Sequence, residues 1–193
     1  MTRIGFVGVG AISGIYLENI TKRFKDIEII GVCDLIRERA ERAVKNYNIP
    51  KLYNDMYELF ADPKVDIVLN ITRPYEHYAV SKAALEAGKH VYSEKPLGAD
   101  LDEGKALLKL AKEKGLSIPV VYNSNGYESI TGLKMLEGLV DIYLPDFKYW
   151  NDDLGMEYSR CPHYRETAAA AILEMREQVG PDVLDENGIM QKG

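Results

Sequence analysis

The chain has 193 residues, room for one packed α/β domain with an appendage and too few for two full-sized domains. Hydrophobic residues make up 46% and charged residues 28%, an ordinary globular balance that argues against disorder and against a membrane span. The formal net charge is -6 and Lys and Arg are scattered singly among Asp and Glu, so no basic face is available for a phosphate backbone and nucleic acid is not an expected partner.

The two cysteines, Cys33 and Cys161, stand far apart and in neither a Cys-x-x-Cys nor a zinc-ligand spacing. They imply no disulfide framework and a reducing, cytoplasmic compartment. Thr2-Arg3 leads straight into Ile4-Gly5-Phe6-Val7, without a long apolar run or a small-residue cleavage site, so no targeting segment and no membrane partner are expected.

Along the chain, short apolar runs at 4–7, 27–32, 65–71 and 90–92 read as buried parallel strands. Between them lie segments of helical period. Residues 11–24 place Ile12, Ile15, Tyr16 and Ile20 on one face, and 37–47 do the same with Ala40, Ala43, Val44 and Tyr47. A third stripe runs through Ala79, Val80, Ala83, Ala84 and Ala87, with Gly88 where a helix needs a left-handed terminal residue. Asp100 and Glu103 form a capping box that opens a helix through Leu107, Leu110 and Ala111, ending at Gly115. Residues 119–122 read as a further strand able to complete the same sheet. Strict alternation of strand and helix predicts right-handed crossovers and a doubly wound parallel sheet.

Beyond Tyr122 the texture changes to a Gly-interrupted helix at 130–139, a strand at 141–144, a polar loop, a helix at 166–179 and an aperiodic tail from 180. The division expected is therefore a domain over 1–118 and a small α/β appendage over 119–193.

Chemistry gathers at the carboxyl ends of the predicted strands. Gly8-Val9-Gly10-Ala11-Ile12-Ser13 closes the first strand and opens the first helix, the setting a dinucleotide fingerprint requires. Gly8 permits the tight turn, and Gly10 leaves the helix N-terminus open to a pyrophosphate. Ser13 replaces the third glycine of the strict pattern. Asp34 ends the second strand about two dozen residues on, where a carboxylate takes hydrogen bonds from the adenosine ribose. The alternatives are a plain strand-to-helix turn for the glycines and an N-cap for Asp34. These features predict a Rossmann domain holding NAD or NADP, with Asp34 favouring NAD and Arg37 softening that preference.

At the fourth of these strands, His90-Val91-Tyr92-Ser93-Glu94-Lys95-Pro96-Leu97 follows Ala83-Ala84-Leu85-Glu86-Ala87-Gly88-Lys89. With Gly8, Gly10, Asp34, Thr72-Arg73-Pro74 and His77, this pattern resembles the glucose-fructose oxidoreductase and inositol dehydrogenase family, Gfo/Idh/MocA, from residue 3 to about 116. Thr72-Arg73-Pro74 departs from the family's commoner Thr-Pro opening. The resemblance implies that Lys95 points at the nicotinamide and the substrate as the catalytic residue, and that Pro96 follows a cis bond. It implies a cofactor site of Gly8, Gly10, Ala11, Ile12, Asp34, Arg37, Thr72, Arg73, His77, Glu94 and Lys95, and hydride transfer at a secondary alcohol of a sugar or polyol. For Lys95 the alternative is a surface ion pair with Glu94. His90 and His163 read as structural and solvated, and no metal site is expected.

Residues 119–193 do not resemble that family's substrate domain. Val121-Tyr122-Asn123-Ser124-Asn125-Gly126-Tyr127-Glu128, the stretch from Val140 to Tyr149, Asp185-Glu186-Asn187-Gly188 and Lys192-Gly193 resemble late barrel strands of radical S-adenosylmethionine proteins related to pyruvate formate-lyase activating enzyme. The chain lacks the Cys-x-x-x-Cys-x-x-Cys spacing that such chemistry needs, so no iron–sulfur cluster is expected. The partners expected are a nicotinamide dinucleotide, a sugar or polyol, and a second copy in a homo-oligomer. A cofactor-binding module without turnover, or an inert fusion remnant, stands as the alternative function.

Overall fold

The computed structural model describes residues 1–193, which divide by internal contacts into two units, Met1–Leu116 and Ser117–Gly193. In the first unit the elements alternate: β1 (Thr2–Val7), α1 (Ser13–Lys22), β2 (Ile27–Cys33), α2 (Arg37–Tyr47), α3 (Met56–Ala61), β3 (Ile67–Asn70), a 3-10 turn (Pro74–Glu76), α4 (His77–Glu86), β4 (His90–Ser93) and α5 (Leu101–Glu113). The four strands form one sheet in the order β2-β1-β3-β4, with every neighbouring pair parallel. The chain moves outward from β1 to β2, then returns across β1 to β3, so its direction of winding reverses between β1 and β3.

Alternation along the strands builds two cores, because successive side chains leave a strand on opposite faces. Ile4 and Phe6 of β1, Ile29 and Val32 of β2 and Leu69 of β3 join one cluster with Leu17 and Ile20 of α1 and Ala40 and Ala43 of α2. Val7, Ile30, Cys33 and Val68 point the other way, onto Leu59 and Phe60 of α3 and Val80 and Ala84 of α4. A sheet covered on both faces accounts for the continuous apolar runs of the strands.

Several predicted elements shift. The first helix begins at Ser13, and its buried side is Ser13, Leu17 and Ile20, whereas Ile12 and Ile15 are 48% and 68% exposed. They stand over the carboxyl edge of the sheet, so the apolar stripe read across 12–20 is shared between core and cleft. Helix α3 was not expected. Asp55 caps it by accepting from the Glu58 amide at 2.8 Å, and Glu58 in turn accepts from the Asn54 amide at 2.9 Å. The Asp100 cap of α5 holds as read, although Glu103 reaches back to the Ala99 amide, one residue before the cap.

The second unit holds β5 (Val121–Ser124), α6 (Ile130–Lys134), β6 (Ile142–Pro145), α7 (Asp152–Ser159), α8 (Tyr164–Val179), β7 (Val183–Leu184) and β8 (Met190–Lys192). Here the expectation that the strand after α5 completes the main sheet is corrected. β5 pairs in parallel with β6 in a separate two-stranded sheet. The Asp141 carboxylate accepts from the Val120 amide, and the Val120 carbonyl accepts from the amides of Asp141 and Ile142, which commits the start of β5 to β6. The loop at 145–163 contains α7, capped by Asn151. The tail is ordered too: β7 and β8 pair antiparallel around a turn in which Asp185 accepts from the amides of Asn187 and Ile189, and the Gly193 carbonyl accepts from the Tyr143 amide.

Candidate active site

In the first unit a cleft of about 1270 Å³ runs along the carboxyl ends of the four strands, lined by residues from the loops after β1, β2, β3 and β4. Its volume exceeds the roughly 300–1,000 Å³ of ordinary small-molecule sites. It lies at the winding reversal between β1 and β3, where doubly wound sheets bind ligands.

The glycine loop occupies the centre. Gly8 has φ +90, and a Cβ there would meet the Ile71 carbonyl oxygen and the Thr72 amide at 3.0 Å, so the fold itself demands glycine. Gly10 is different. Its φ lies outside the left-handed region and a Cβ would meet nothing within 4 Å, so the protein has room for a side chain there. The amides of Gly10, Ala11 and Ile12, ahead of α1, have no acceptor within the chain, and Gly10, Ala11 and Ile12 line the cleft. Ser13 closes the loop, its hydroxyl donating to the Gly10 carbonyl at 2.7 Å. Unused amides at a helix N-terminus, beside a glycine whose missing side chain faces open space, fit an anionic pyrophosphate.

At the β2 end, Asp34 accepts from the Val9 amide through one oxygen and from the Ile36 amide through the other, both at 2.7 Å. The carboxylate therefore ties the glycine loop to the turn before α2, and it is not the N-cap, which is Ile36. Each oxygen retains a lone pair for a further donor. Arg37 opens α2 with its guanidinium on Glu41 and on the Asn54 side chain, both at 3.1 Å.

The β3 end is organised by a residue that the sequence reading passed over. Asn70 is fully buried, and its amide group donates to the His77 carbonyl at 3.0 Å and the Ser81 hydroxyl at 2.9 Å. Its side-chain oxygen accepts from the Thr72 hydroxyl at 2.7 Å. His77 is 1% exposed, with Nδ1 2.7 Å from the Pro96 carbonyl oxygen and Nε2 3.2 Å from that of Thr72. Each ring nitrogen faces a carbonyl oxygen, and the Pro96 contact is the shorter of the two. His77 thus clamps the loop after β3 to the loop after β4. Arg73 lies exposed on the cleft wall.

After β4, the Lys95-Pro96 bond is cis. The surface ion pair between Glu94 and Lys95 does not form, and the Lys95 ammonium, exposed at the cleft, has no carboxylate within salt-bridge distance. Glu94 instead accepts the phenol of Tyr16 and, at 3.2 Å, the Lys95 amide. The Tyr16 hydrogen bond is the main cause that holds the Glu94 carboxyl below its ordinary range, and the same bond pushes the phenol up. The structure therefore brings all eleven predicted site residues to one cleft, with His77 buried in its wall. Asn70, Ser81 and Tyr16 were missed. The available signal was Asn70 itself, a polar residue inside the otherwise apolar run 65–71.

Fold and cleft together define a dinucleotide-binding domain of the Rossmann class. The family model described as "Oxidoreductase family, NAD-binding Rossmann fold", GFO_IDH_MocA, matches residues 2–122, and the chain belongs to that family. It is 29% identical over 173 residues to inositol 2-dehydrogenase/D-chiro-inositol 3-dehydrogenase of Lactiplantibacillus plantarum, covering 87% of this chain and 49% of that protein. Among solved structures it is similar to the WlbA dehydrogenase from Bordetella pertussis in complex with NADH and UDP-GlcNAcA, at 26% identity and TM-score 0.56, over 59% of this chain and 33% of that one. It is also similar to KijD10, a 3-ketoreductase from Actinomadura kijaniata in complex with TDP-benzene and NADP, at 26% identity and TM-score 0.55, over 61% and 37%. The chain spans between 33% and 49% of the length of curated relatives that it matches. Nicotinamide dinucleotides are therefore the cofactor class of this domain.

The likeness of 119–193 to radical S-adenosylmethionine proteins finds no support in these matches. The match to the inositol dehydrogenase runs past residue 122 into the second unit, and that unit contains one parallel strand pair and a hairpin. No three His, Cys, Asp or Glu side chains converge as a metal site, and no helix is long and apolar enough to cross a membrane.

Proposed function

We propose that the cleft holds NAD(H) in preference to NADP(H), with the pyrophosphate over Gly10, Ala11 and Ile12, the adenosine ribose at Asp34 and Arg37, and the nicotinamide between Thr72-Arg73 and Glu94-Lys95. The carrying observation is Gly10, where the fold leaves space for a side chain and the sequence supplies none. The preference for NAD rests on Asp34, whose oxygens are acceptors for ribose hydroxyls and repel a 2′-phosphate, while Arg37 is engaged by Glu41 and Asn54.

The reaction that this arrangement serves is hydride transfer at a secondary alcohol of a sugar or polyol, by likeness to the inositol dehydrogenases. The nicotinamide supplies the hydride acceptor. Lys95, an ammonium with no carboxylate within salt-bridge distance, holds the substrate oxygen and stabilises the negative charge left on it as the hydroxyl proton passes to solvent and the hydride passes to the nicotinamide. Two unpaired thiols, Cys33 and Cys161, support a reducing, cytoplasmic setting.

Titration calorimetry with NAD+ and NADP+ at one ionic strength tests the cofactor assignment. NAD+ binds more tightly, and Asp34→Ala narrows the difference; tighter binding of NADP+ by the unaltered chain overturns it. For the substrate class, myo-inositol shifts the fluorescence of bound NADH and Lys95→Ala removes the shift, whereas an unchanged spectrum contradicts the polyol assignment.

A further inference from the structure

We infer that Tyr16 is a positioning residue whose hydroxyl holds the Glu94 carboxylate at the nicotinamide end of the cleft, where the held anion favours the cationic nicotinamide of NAD+ over the neutral ring of NADH. The inference rests on the cofactor placement proposed above.

Tyr16 sits on α1, its ring partly buried against the first core cluster, and its hydroxyl crosses to the loop after β4 to donate to one Glu94 oxygen. The other oxygen accepts from the Lys95 amide at 3.2 Å, and the Glu94 amide donates to the Asn70 carbonyl at 3.0 Å. Glu94 is thus tied to α1 through one carboxylate oxygen and to β3 through its backbone, while its other oxygen is held by the neighbouring Lys95 amide. The hydrogen-bond donors to Glu94 are neutral groups, and no Lys, Arg or His lies within ion-pair distance of it; Lys95 acts on the carboxylate only through the longer-range field, so removing the Glu94 charge leaves a more positive cleft. Tyr16 and Glu94 both line that cleft.

The direction follows from charge. Oxidised nicotinamide carries a positive ring charge that the reduced ring lacks, and a carboxylate held in a partly desolvated cleft discriminates between them more than one free to swing into water. Asp34 and the glycine loop lie at the β1 and β2 ends and contact the half of the cofactor that is the same in both redox states. A loss at Tyr16 should therefore appear in the ratio of the two affinities and leave the adenosine half untouched.

Dissociation constants for NAD+, NADH and ADP-ribose are measured by calorimetry for the unaltered chain, Tyr16→Phe, Glu94→Gln and the double variant. Phe keeps the ring in its packing, and circular dichroism verifies the fold. Tyr16→Phe raises the ratio Kd(NAD+)/Kd(NADH) about 3- to 10-fold and leaves ADP-ribose binding within about 2-fold. Glu94→Gln raises the ratio at least as much, and adding Tyr16→Phe to it changes nothing further, because the hydroxyl acts through that carboxylate. An unchanged ratio in Tyr16→Phe, equal weakening of all three ligands, or full additivity with Glu94→Gln overturns the inference. Failure of the unaltered chain to bind ADP-ribose overturns the cofactor placement and the inference with it.

Discussion

The two glycines of the first loop are one motif in the sequence and two problems in the structure. Gly8 serves the fold, since its φ of +90 and the backbone of Ile71 and Thr72 leave no place for a Cβ. Gly8→Ala is expected to destabilise the domain by about 1–3 kcal/mol, read as a lower denaturant midpoint. Asn70 carries a similar burden in side-chain form. Asn70→Leu leaves the Ser81 and Thr72 hydroxyls without their partner inside the wall, at a cost of about 1–3 kcal/mol for each one unsatisfied, and unfolding in urea measures the loss. The glycines, Asp34 and Glu94-Lys95 were legible because strand ends concentrate such residues. Asn70 was passed over because it sits inside the apolar run 65–71, which was read whole as one buried strand. Tyr16 was legible as apolar and illegible as polar, because a tyrosine on a helical stripe says nothing of where its hydroxyl points.

Elements are tied to one another by a few charged groups whose titration is predictable. Arg3 of β1 grips Asp66, just before β3, through Nε at 2.8 Å and Nη2 at 2.5 Å, and this hydrogen bonding brings the carboxyl down to about 2. Asp62, after α3, is brought to about 2 chiefly by the Lys64 amide and also by Lys51 and Tyr53. Both carboxyls start from 3.8, so between about 3.8 and 2 the unfolded chain binds more protons than the folded one. Their stabilisation is complete above that window and is lost as pH falls through it. Urea midpoints measured from pH 6 downward should fall across the window, and less steeply in Asp66→Asn.

The same scale shows what periodicity resolves. Helix α2 was read at its observed bounds because the stripe of Ala40, Ala43, Val44 and Tyr47 keeps a clear helical period. Short α3 was missed although Asp55 and Glu58 stand at capping spacing, since six residues carry too little period to notice. Asp100→Ala at the start of α5 should cost about 1 kcal/mol, seen in the melting temperature of the chain, as its carboxylate is the sole side-chain partner of the Glu103 amide.

For the whole molecule, the alternation of strand and helix specified a parallel doubly wound sheet, and the sheet specified the position of the site. Strand pairing beyond residue 116 was not specified. Residues 119–122 are as suited to the edge of the large sheet as to a new one, and the choice is made by long-range bonds from Asp141, invisible in local pattern. The cleft proposed for the cofactor lies within Met1–Leu116, and the proposal turns on its glycine loop holding the pyrophosphate. NADH titrated into the full chain, followed by fluorescence, and repeated with Gly10→Val, is the direct measurement. A Val side chain meets no protein atom near its Cβ, so the variant folds as the parent does by circular dichroism. NADH should bind the parent saturably and bind the variant at least about 100-fold more weakly. A folded Gly10→Val chain that binds NADH as tightly as the parent would contradict the proposal.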